Sequence, residues 1–177
     1  MTFTLLLGGV RSGKSRLAVG LASRASEPVV FLATAEARDD HMTERIDAHR
    51  AERPDHWSTV EVPMAIEDAL TSIDRDAYVV LDCLTVWTSN LLLAGTPDPE
   101  VTATAERVAA ALAARPGGGV VVTNEVGMGV HPSSELGRHY RDLLGAVNIR
   151  FADMADQTAL VMAGRALPLV DARSLLG

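Results

Sequence analysis

The feature that most constrains this fold is a glycine-rich octapeptide near the start of the chain, Gly8-Gly9-Val10-Arg11-Ser12-Gly13-Lys14-Ser15. It matches the pattern of a phosphate-binding loop, in which a glycine and four further residues precede Gly-Lys-Ser. The apolar run Phe3 to Leu7 predicts a buried strand before it, and Arg16 to Ala25 predicts a helix after it. A strand, a glycine loop and a helix place backbone N–H groups around an anion. The motif therefore predicts a nucleoside triphosphate site.

Two side chains of this loop have chemical roles of their own. Lys14 is expected to reach the terminal phosphates, and the Ser15 hydroxyl is expected to ligate Mg²⁺. Lys14 is the only lysine of the chain, whose other basic residues are arginines. Because the planar arginine fork cannot replace a compact ammonium between phosphates, this single lysine supports the assignment.

Composition limits the class of protein. A chain of 177 residues predicts a single catalytic domain, residues 1–177, with a substantial core. The net charge of −7 disfavours a general nucleic-acid binder. The single cysteine, Cys83, excludes an intrachain disulfide, and neither a signal segment nor an apolar run of membrane-spanning length is visible. We expect a cytoplasmic protein without stable membrane insertion.

Short apolar runs alternate with helical patterns along the chain, which predicts parallel βαβ units. The further predicted strands are Val29 to Ala33, Trp57 to Val62, Tyr78 to Asp82, Val120 to Thr123 and Thr158 to Met162. The further predicted helices are His41 to Arg53, Met64 to Ile73, Thr85 to Leu93, Glu100 to Ala114 and a last one ending near Met154, with a loop at 95–99. The fold class is α/β, a three-layer P-loop NTPase-type domain with a mostly parallel sheet and its site at the carboxyl ends of the strands.

Two carboxylates stand at the carboxyl ends of predicted strands, Asp82 as the last residue of one strand and Glu125 just after another. Asp82 ends an apolar run, as a second magnesium-side carboxylate does in P-loop enzymes. Glu125 follows the run Val120 to Thr123 and has three possible roles: a base, a ligand, or a loop carboxylate that bonds nearby N–H groups. The residue types alone leave these three roles open.

His49 is a candidate nucleophile on the polar predicted helix. A histidine on such a helix is most often a solvated surface residue, but His49 stands beside Arg50 and near Arg53. Neighbouring guanidinium groups favour the neutral, nucleophilic imidazole, and they can pair with the oxygens of a phosphorylated intermediate. His56, His131 and His139 lack this setting.

Several segments occur together in a recognisable order. They are Gly8 to Arg16, Ala33-Thr34-Ala35, Ile46 to Trp57 with the core His49-Arg50-Ala51-Glu52-Arg53-Pro54, Asn90-Leu91-Leu92, Val122 to Gly129 with Asn124-Glu125-Val126-Gly127-Met128-Gly129, and Arg138 to Asn148. In these segments the chain resembles the bifunctional adenosylcobinamide kinase / adenosylcobinamide-phosphate guanylyltransferase family. The resemblance spans nearly the whole chain.

The resemblance implies a two-step enzyme of adenosylcobalamin biosynthesis. The first step phosphorylates the aminopropanol hydroxyl of adenosylcobinamide with ATP or GTP. In the second, GTP releases pyrophosphate, and GMP passes through a guanylylated histidine to adenosylcobinamide phosphate, which gives adenosylcobinamide-GDP. The resemblance also implies a homotrimer with nucleotide sites near the subunit boundaries. Mg²⁺ is the expected cofactor.

The resemblance also implies site residues. His49 takes the place of the guanylylated histidine, and residues 8–15 take the place of the phosphate loop. The positions where the family contacts GTP are Ala33, Thr34, Ala35, Arg50, Ala51, Glu52, Arg53, Glu61 and Asp82. The chain departs from the family at Val10, at His41 and at Asp82, where some relatives carry glutamate, and these departures concern metal geometry rather than class.

Two alternative functions are compatible with the phosphate loop. One is a plain P-loop small-molecule kinase in which His49 takes no part. The other is a GTP-binding regulatory protein, which usually carries Asn-Lys-x-Asp for guanine, a motif that a chain whose only lysine is Lys14 cannot contain. The net charge of −7 disfavours a third alternative, a DNA-dependent ATPase.

Overall fold

The computed structural model describes residues 3–25, 28–36, 50 and 53–176. The strands of this part are β1 (Phe3–Leu7), β2 (Val29–Ala33), β3 (Ser58–Glu61), β4 (Tyr78–Asp82), β5 (Gly119–Val122), β6 (Gln157–Met162) and β7 (Arg165–Leu169). The α-helices are α1 (Lys14–Ala22), α2 (Ile66–Ser72), α3 (Leu84–Leu93), α4 (Asp98–Ala113) and α5 (Glu135–Met154), and a 3₁₀ helix follows at Ala172–Leu176. No helix of these described ranges is both long and apolar enough to cross a membrane.

The strands form one sheet in the order β3-β2-β4-β5-β1-β6-β7. Every neighbouring pair is parallel except β6 and β7, which pair antiparallel. This confirms the predicted mostly parallel α/β architecture. Because β5 lies between β1 and β4, the loop after β5 emerges between the phosphate loop and the end of β4.

Alternating strand residues face two apolar layers. On one face of the sheet, Leu5 and Leu81 belong to a core cluster with residues of α2, α3, α4 and α5. On the other face, Leu6 and Val80 pack with α1 and with Trp57, which is 8% exposed. Strands buried on both faces read as continuous apolar runs, which is why the sequence predicted most of them.

Several boundaries differ from the predicted ones. The helix α4 begins at Asp98 inside the predicted 95–99 loop, because Pro97 and Pro99 suit the first turn of a helix. The strand β7 and the 3₁₀ helix lie in the tail, for which the sequence predicted no element. The predicted helix His41 to Arg53 lies outside the described residues except at Arg50 and Arg53.

A polar network anchors the end of β5 to helix α5. The Thr123 hydroxyl donates to Asn148 Oδ1 over 2.7 Å, and Asn148 Nδ2 donates to the Asn124 carbonyl over 3.1 Å. The Asn124 N–H donates to Thr85 Oγ1 over 2.8 Å, and the Tyr140 hydroxyl donates to the Thr85 carbonyl over 3.0 Å. Burial raises the pKa of Tyr140, which keeps it a neutral donor. The start of the loop after β5 is therefore fixed by one buried and several partly buried hydrogen bonds.

Replacing the Asn148 amide at the centre of this network tests how much the network contributes to the free energy of unfolding. We expect Asn148→Ala to lower the free energy of unfolding by about 2 kcal/mol, because it leaves the Asn124 carbonyl and the Thr123 hydroxyl without their partner. Urea denaturation measures the change. The control is Ile149→Ala on the same helix, where the side chain is 61% exposed, and its expected effect is within about 0.5 kcal/mol. Equal unfolding energies for the two variants would contradict the assignment.

Candidate active site

The phosphate loop depends on two glycines with positive φ. Gly8 has φ 154° and Gly13 has φ 102°. A Cβ at Gly8 would overlap the carbonyl oxygen of Val161 on β6 and would lie 3.0 Å from Ser12 Oγ. Gly13 precedes α1, whose first-turn N–H groups have no helical carbonyl to bond. The loop therefore presents backbone donors and the positive end of α1 to an anion.

The Lys14 ammonium lies inside this loop. Its Nζ donates to the carbonyls of Gly8 and Gly9 over 2.8 and 2.7 Å, with Ser12 Oγ at 3.3 Å. Burial lowers the pKa of Lys14, an effect opposed by the nearby Asp82 carboxylate. The residue is 6% exposed, so its charge acts where water screens it weakly.

Two loops elsewhere in the chain, one after β5 and one between β6 and β7, donate hydrogen bonds to the phosphate loop. The Glu125 N–H, just after β5, donates to the Gly8 carbonyl over 3.1 Å. The Gly164 N–H, in the turn between β6 and β7, donates to the Ser12 carbonyl over 2.8 Å. The sequence motif gave no signal for these bonds, because the partners lie more than a hundred residues away.

The register of the sheet sets the place of Asp82. Asp82 pairs with Ala33 of β2 and with Val122 of β5, and Val122 pairs with Leu6 of β1. Two strand spacings, about 10 Å, therefore separate Asp82 from the strand that leads into the phosphate loop. The charge of Asp82 raises the pKa of both Lys14 and Arg53, although burial lowers each of them by more. Asp82 thus links the phosphate loop electrostatically to the segment that follows His49.

The residues after β2 are held by the connection between β4 and α3. The Thr34 hydroxyl donates to the Cys83 carbonyl and accepts from the Cys83 N–H, both over 2.8 Å. Asn90 Nδ2 donates to the Thr34 carbonyl over 3.0 Å and to the Pro63 carbonyl over 3.1 Å. Asn90 thereby ties the ends of β2 and β3 together. In the sequence, Asn90 stands out only as part of a family segment, because its hydrogen-bond partners are distant in the chain.

Arg53 lies against the same end of the sheet. Its guanidinium carbon is 3.5 Å from the centre of the Phe31 ring on β2, and Nη1 is 3.5 Å from Thr59 Oγ1 on β3. Its Nε is buried and has no hydrogen-bond partner within the described ranges. Burial is the main cause that lowers its pKa, but an arginine stays charged. Arg53 therefore offers a cation and an unused donor beside Asp82.

The predicted nucleotide contacts are distributed along the carboxyl edge of the sheet. Glu61, exposed at the end of β3, pairs with Ala33, and Ala33 pairs with Asp82. Glu61 is four strand spacings, about 19 Å, from β1 and its phosphate loop. Ala35 is half-buried and Arg50 is exposed. His49, Ala51 and Glu52 lie outside the described residues.

Glu125 makes the bond expected of a loop carboxylate. Its Oε1 accepts from the Gly127 N–H over 2.6 Å, within the same loop. The carboxylate is half-buried and its backbone lies against Gly8. This bond matches one of the three roles left open by the sequence.

The donor set near the phosphate loop suits a hard cation that keeps water and phosphate ligands. Ser15 offers a hydroxyl and Asp82 a carboxylate, both oxygen donors of the kind Mg²⁺ prefers. No group of three His, Cys, Asp or Glu side chains in the described residues could enclose a metal ion. The residues therefore fit Mg²⁺ bound largely through phosphates, not a dedicated protein cage.

Two comparisons by sequence match nearly the whole chain. The family described as cobinamide kinase / cobinamide phosphate guanyltransferase matches residues 4–169. The bifunctional adenosylcobalamin biosynthesis protein CobP of Pseudomonas aeruginosa is 41% identical over 166 residues, which cover 93% of this chain and 95% of that protein. The corresponding CobU proteins of Escherichia coli and Salmonella typhimurium are 39% and 41% identical, each covering 90% of this chain and 95% of the relative.

Two solved structures share the fold. A prototypical ATPase from a type III secretion system of pathogenic bacteria has a TM-score of 0.56 at 14% identity, and the match covers 99% of this chain but 60% of that one. The ATPase EscN of enteropathogenic E. coli has a TM-score of 0.60 at 15% identity, covering 92% of this chain and 43% of that one. The chain thus spans about half the length of these structures, and at such identities the likeness shows a shared fold alone.

The close approach of Gly8 to β6 leads to a binding prediction. We expect Gly8→Ala to weaken the affinity for GTP by about tenfold or more, because a Cβ there displaces the loop from Val161. Calorimetry measures the affinity, and circular dichroism checks that the variant is folded. The control is Gly20→Ala in α1, where a Cβ meets nothing within 4 Å. A folded Gly8→Ala protein that binds GTP as tightly as the control would contradict the expected clash.

The only cysteine offers a test of burial at the end of β4. Burial, followed by the charge of Asp82, raises the pKa of Cys83 from 9.0 to about 11. Because only the thiolate reacts, we expect its alkylation by iodoacetamide at pH 8 to be about a hundredfold slower than that of a thiol with the unshifted pKa. The rate should keep rising with pH until about 11. Mass spectrometry of timed samples measures it, and a rate that reaches its plateau below pH 9 would contradict this environment.

Proposed function

The chain belongs to the cobinamide kinase / cobinamide phosphate guanyltransferase family, and we propose that it performs both reactions along the carboxyl edge of its sheet. It phosphorylates adenosylcobinamide with ATP or GTP and then transfers GMP from GTP to adenosylcobinamide phosphate. The single observation that carries this proposal is the register of β3, β2 and β4, which aligns Glu61, Ala33 and Asp82 along the same edge of the sheet as the phosphate loop.

The kinase step uses residues 8–15. The acceptor hydroxyl oxygen attacks the terminal phosphorus and gives up its proton to solvent, while the bond to the bridging oxygen breaks and the nucleoside diphosphate leaves. The Lys14 ammonium and the N–H groups at the start of α1 neutralise the charge on the departing group. Lys14 lies in the loop already, held by the Gly8 and Gly9 carbonyls, so little reorganisation is needed.

The guanylyl step uses the segment from His49 to Arg53. An imidazole nitrogen of His49 attacks the α-phosphorus of GTP, and pyrophosphate leaves. A phosphate oxygen of adenosylcobinamide phosphate then attacks the same phosphorus, and the N–P bond breaks as the imidazole departs protonated. The covalent intermediate divides one difficult displacement into two easier ones.

Charge near Asp82 supports the role of this segment. His49 and Arg53 are four positions apart in the chain, which limits the distance between their Cα atoms to about 14 Å. Arg53 itself lies on Phe31 and has a donor unused by the described residues. Arg50 and Arg53 therefore suit the pairing of phosphoryl oxygens during transfer, with Ala51 and Glu52 between them and Ala33 to Ala35 as the adjoining nucleotide contact.

Mg²⁺ completes the proposed site. Ser15 and Asp82 would hold it, and the ion would supply charge neutralisation across the phosphate oxygens. Asp82 is one methylene shorter than the glutamate of some relatives, so its carboxylate has a shorter reach from β4. The chain's own contribution is to hold both oxygen donors at fixed positions beside the loop.

The proposal also covers the domain organisation, the cellular location and the oligomeric state of the chain. The chain works as one catalytic domain in the cytoplasm, without nucleic acid and without membrane insertion. It assembles as a homotrimer with nucleotide sites near the subunit boundaries, as the family resemblance implies. Sedimentation equilibrium tests this assembly, and a mass of one subunit would contradict it.

His49→Ala separates the two activities. We expect the variant to lose all labelling by GTP carrying ³²P at the α-phosphate, because no imidazole is available to accept GMP. Phosphorylation of adenosylcobinamide should stay within about threefold of wild type, since that step uses residues 8–15 and not this imidazole. Acid-labile protein label and chromatography of the corrinoid products measure the two steps.

The matched control is His56→Ala, which removes an exposed histidine that packs edge-on to Trp57. We expect this control to retain both labelling and phosphorylation. If His49→Ala still took up label, another residue would be the nucleophile. If wild type took up no label while it phosphorylated the corrinoid, the chain would be a plain kinase.

A further inference from the structure

The loop between β5 and α5, residues 123–134, has no role in the reactions described so far. Its tip carries two large apolar side chains in water: Met128 is 78% exposed and Val130 is 96% exposed. Single exposed apolar residues are ordinary, but two of them on one loop beside a reaction centre mark a surface that a ligand can cover. We refer to residues 126–130 as the loop tip.

The loop is bound directly to the phosphate loop. The Glu125 N–H bonds the Gly8 carbonyl over 3.1 Å, and Asn124 is fixed by its bonds to Thr85 and Asn148. Met128 is three residues beyond Glu125, which limits its backbone to about 10 Å from that bond. Val10, which is 74% exposed, is two residues beyond Gly8. The backbones of Met128 and Val10 thus lie within about 10 Å of the bond between the Glu125 N–H and the Gly8 carbonyl.

The loop is also held at its other end. Arg138 Nη1 donates to the carbonyls of Pro132 and Ser133 over 3.2 and 2.9 Å, and Arg141 Nη1 lies 2.8 Å from His131 Nδ1. Within the loop, Glu125 Oε1 accepts from the Gly127 N–H. A loop fixed in this way presents its tip without paying much ordering entropy when a ligand binds.

We propose that the loop tip, with Val10, is the binding surface for the apolar face of the corrinoid ring of adenosylcobinamide. This inference rests on the proposed function, because the acceptor hydroxyl must meet the terminal phosphate. The hydroxyl is joined to the ring by a short chain, so the ring has to rest on a surface next to the phosphate loop. The loop tip is such a surface, and its flexible methionine adapts to an irregular ring face.

The size of the surface favours a small ligand over a protein. Three side chains supply on the order of a few hundred Å² of apolar surface, as a ligand patch does. A stable protein interface buries about 1,200 Å² or more. A second copy of the chain on the same surface is therefore the less suitable occupant, and the experiment below measures it separately.

The test compares two double variants that remove similar exposed apolar groups. One is Met128→Ser with Val130→Ser in the loop tip. The control is Leu175→Ser with Leu176→Ser in the 3₁₀ helix, where the side chains are 79% and 85% exposed. Three quantities are measured: adenosylcobinamide binding by ultrafiltration, the KM for each substrate of the kinase step, and the mass in solution. Labelling of His49 by GTP is followed in the absence of corrinoid.

We expect the loop-tip variant to raise the dissociation constant and the KM for adenosylcobinamide by about tenfold or more. Its KM for the nucleotide, its guanylyl labelling and its mass should match wild type, as should every value of the control. Unchanged corrinoid binding, or an equal loss in the control, would overturn the inference. A loop-tip variant with a changed oligomeric mass would overturn it as well, because the tip would then be a subunit interface.

The binding measurement keeps this inference distinct from the proposed function. If wild type binds adenosylcobinamide but does not phosphorylate it, the proposed function fails while the loop-tip comparison still gives a result. If wild type phosphorylates the corrinoid and the loop-tip variant does so with an unchanged KM, only the inference fails.

Discussion

The bonds that hold the phosphate loop between its neighbours are the constraint on which the rest of this structure depends. Lys14 is bonded to Gly8 and Gly9 from within, and Glu125 and Gly164 bond the loop from two other connections. None of these bonds is strong alone. Together they fix a cation and a set of backbone donors at one point of the sheet edge, so that binding needs little rearrangement.

The parallel register extends this fixed point along the sheet. It places Asp82 two strands from β1, and Glu61 two strands further along the sheet. Asn90 donates to the carbonyls that follow β2 and β3 and thereby joins the ends of these two strands. In the proposed function, phosphoryl transfer at the loop and guanylyl transfer near Arg53 share one edge of the sheet and one carboxylate, Asp82. A chain with a single lysine can serve both steps because arginine suits bidentate pairing near His49, while only the loop needs a compact ammonium.

Local patterns predicted what is local in the structure. The phosphate-loop motif, the strands buried on both faces and most helices follow from patterns of neighbouring residues in the sequence. The observed strands and helices confirm these predictions. The strand β7 was missed because it is an exposed edge strand that contains Pro168 and shows no alternation. The roles of Asn90 and Gly164 depend on partners brought together by the fold: 56 residues separate Asn90 from Thr34. For His49, the sequence supplied a resemblance and a chemical argument, and its position among the other residues stays a prediction.

In the proposed function, one chain carries GMP on an imidazole and then delivers it to the corrinoid. The most direct measurement labels the protein with GTP carrying ³²P at the α-phosphate, removes free nucleotide, and adds adenosylcobinamide phosphate in a single turnover. We expect the label to leave the protein and to appear in adenosylcobinamide-GDP at least as fast as steady-state turnover. Label that stays on the protein, or that is released only as free GMP, would contradict it.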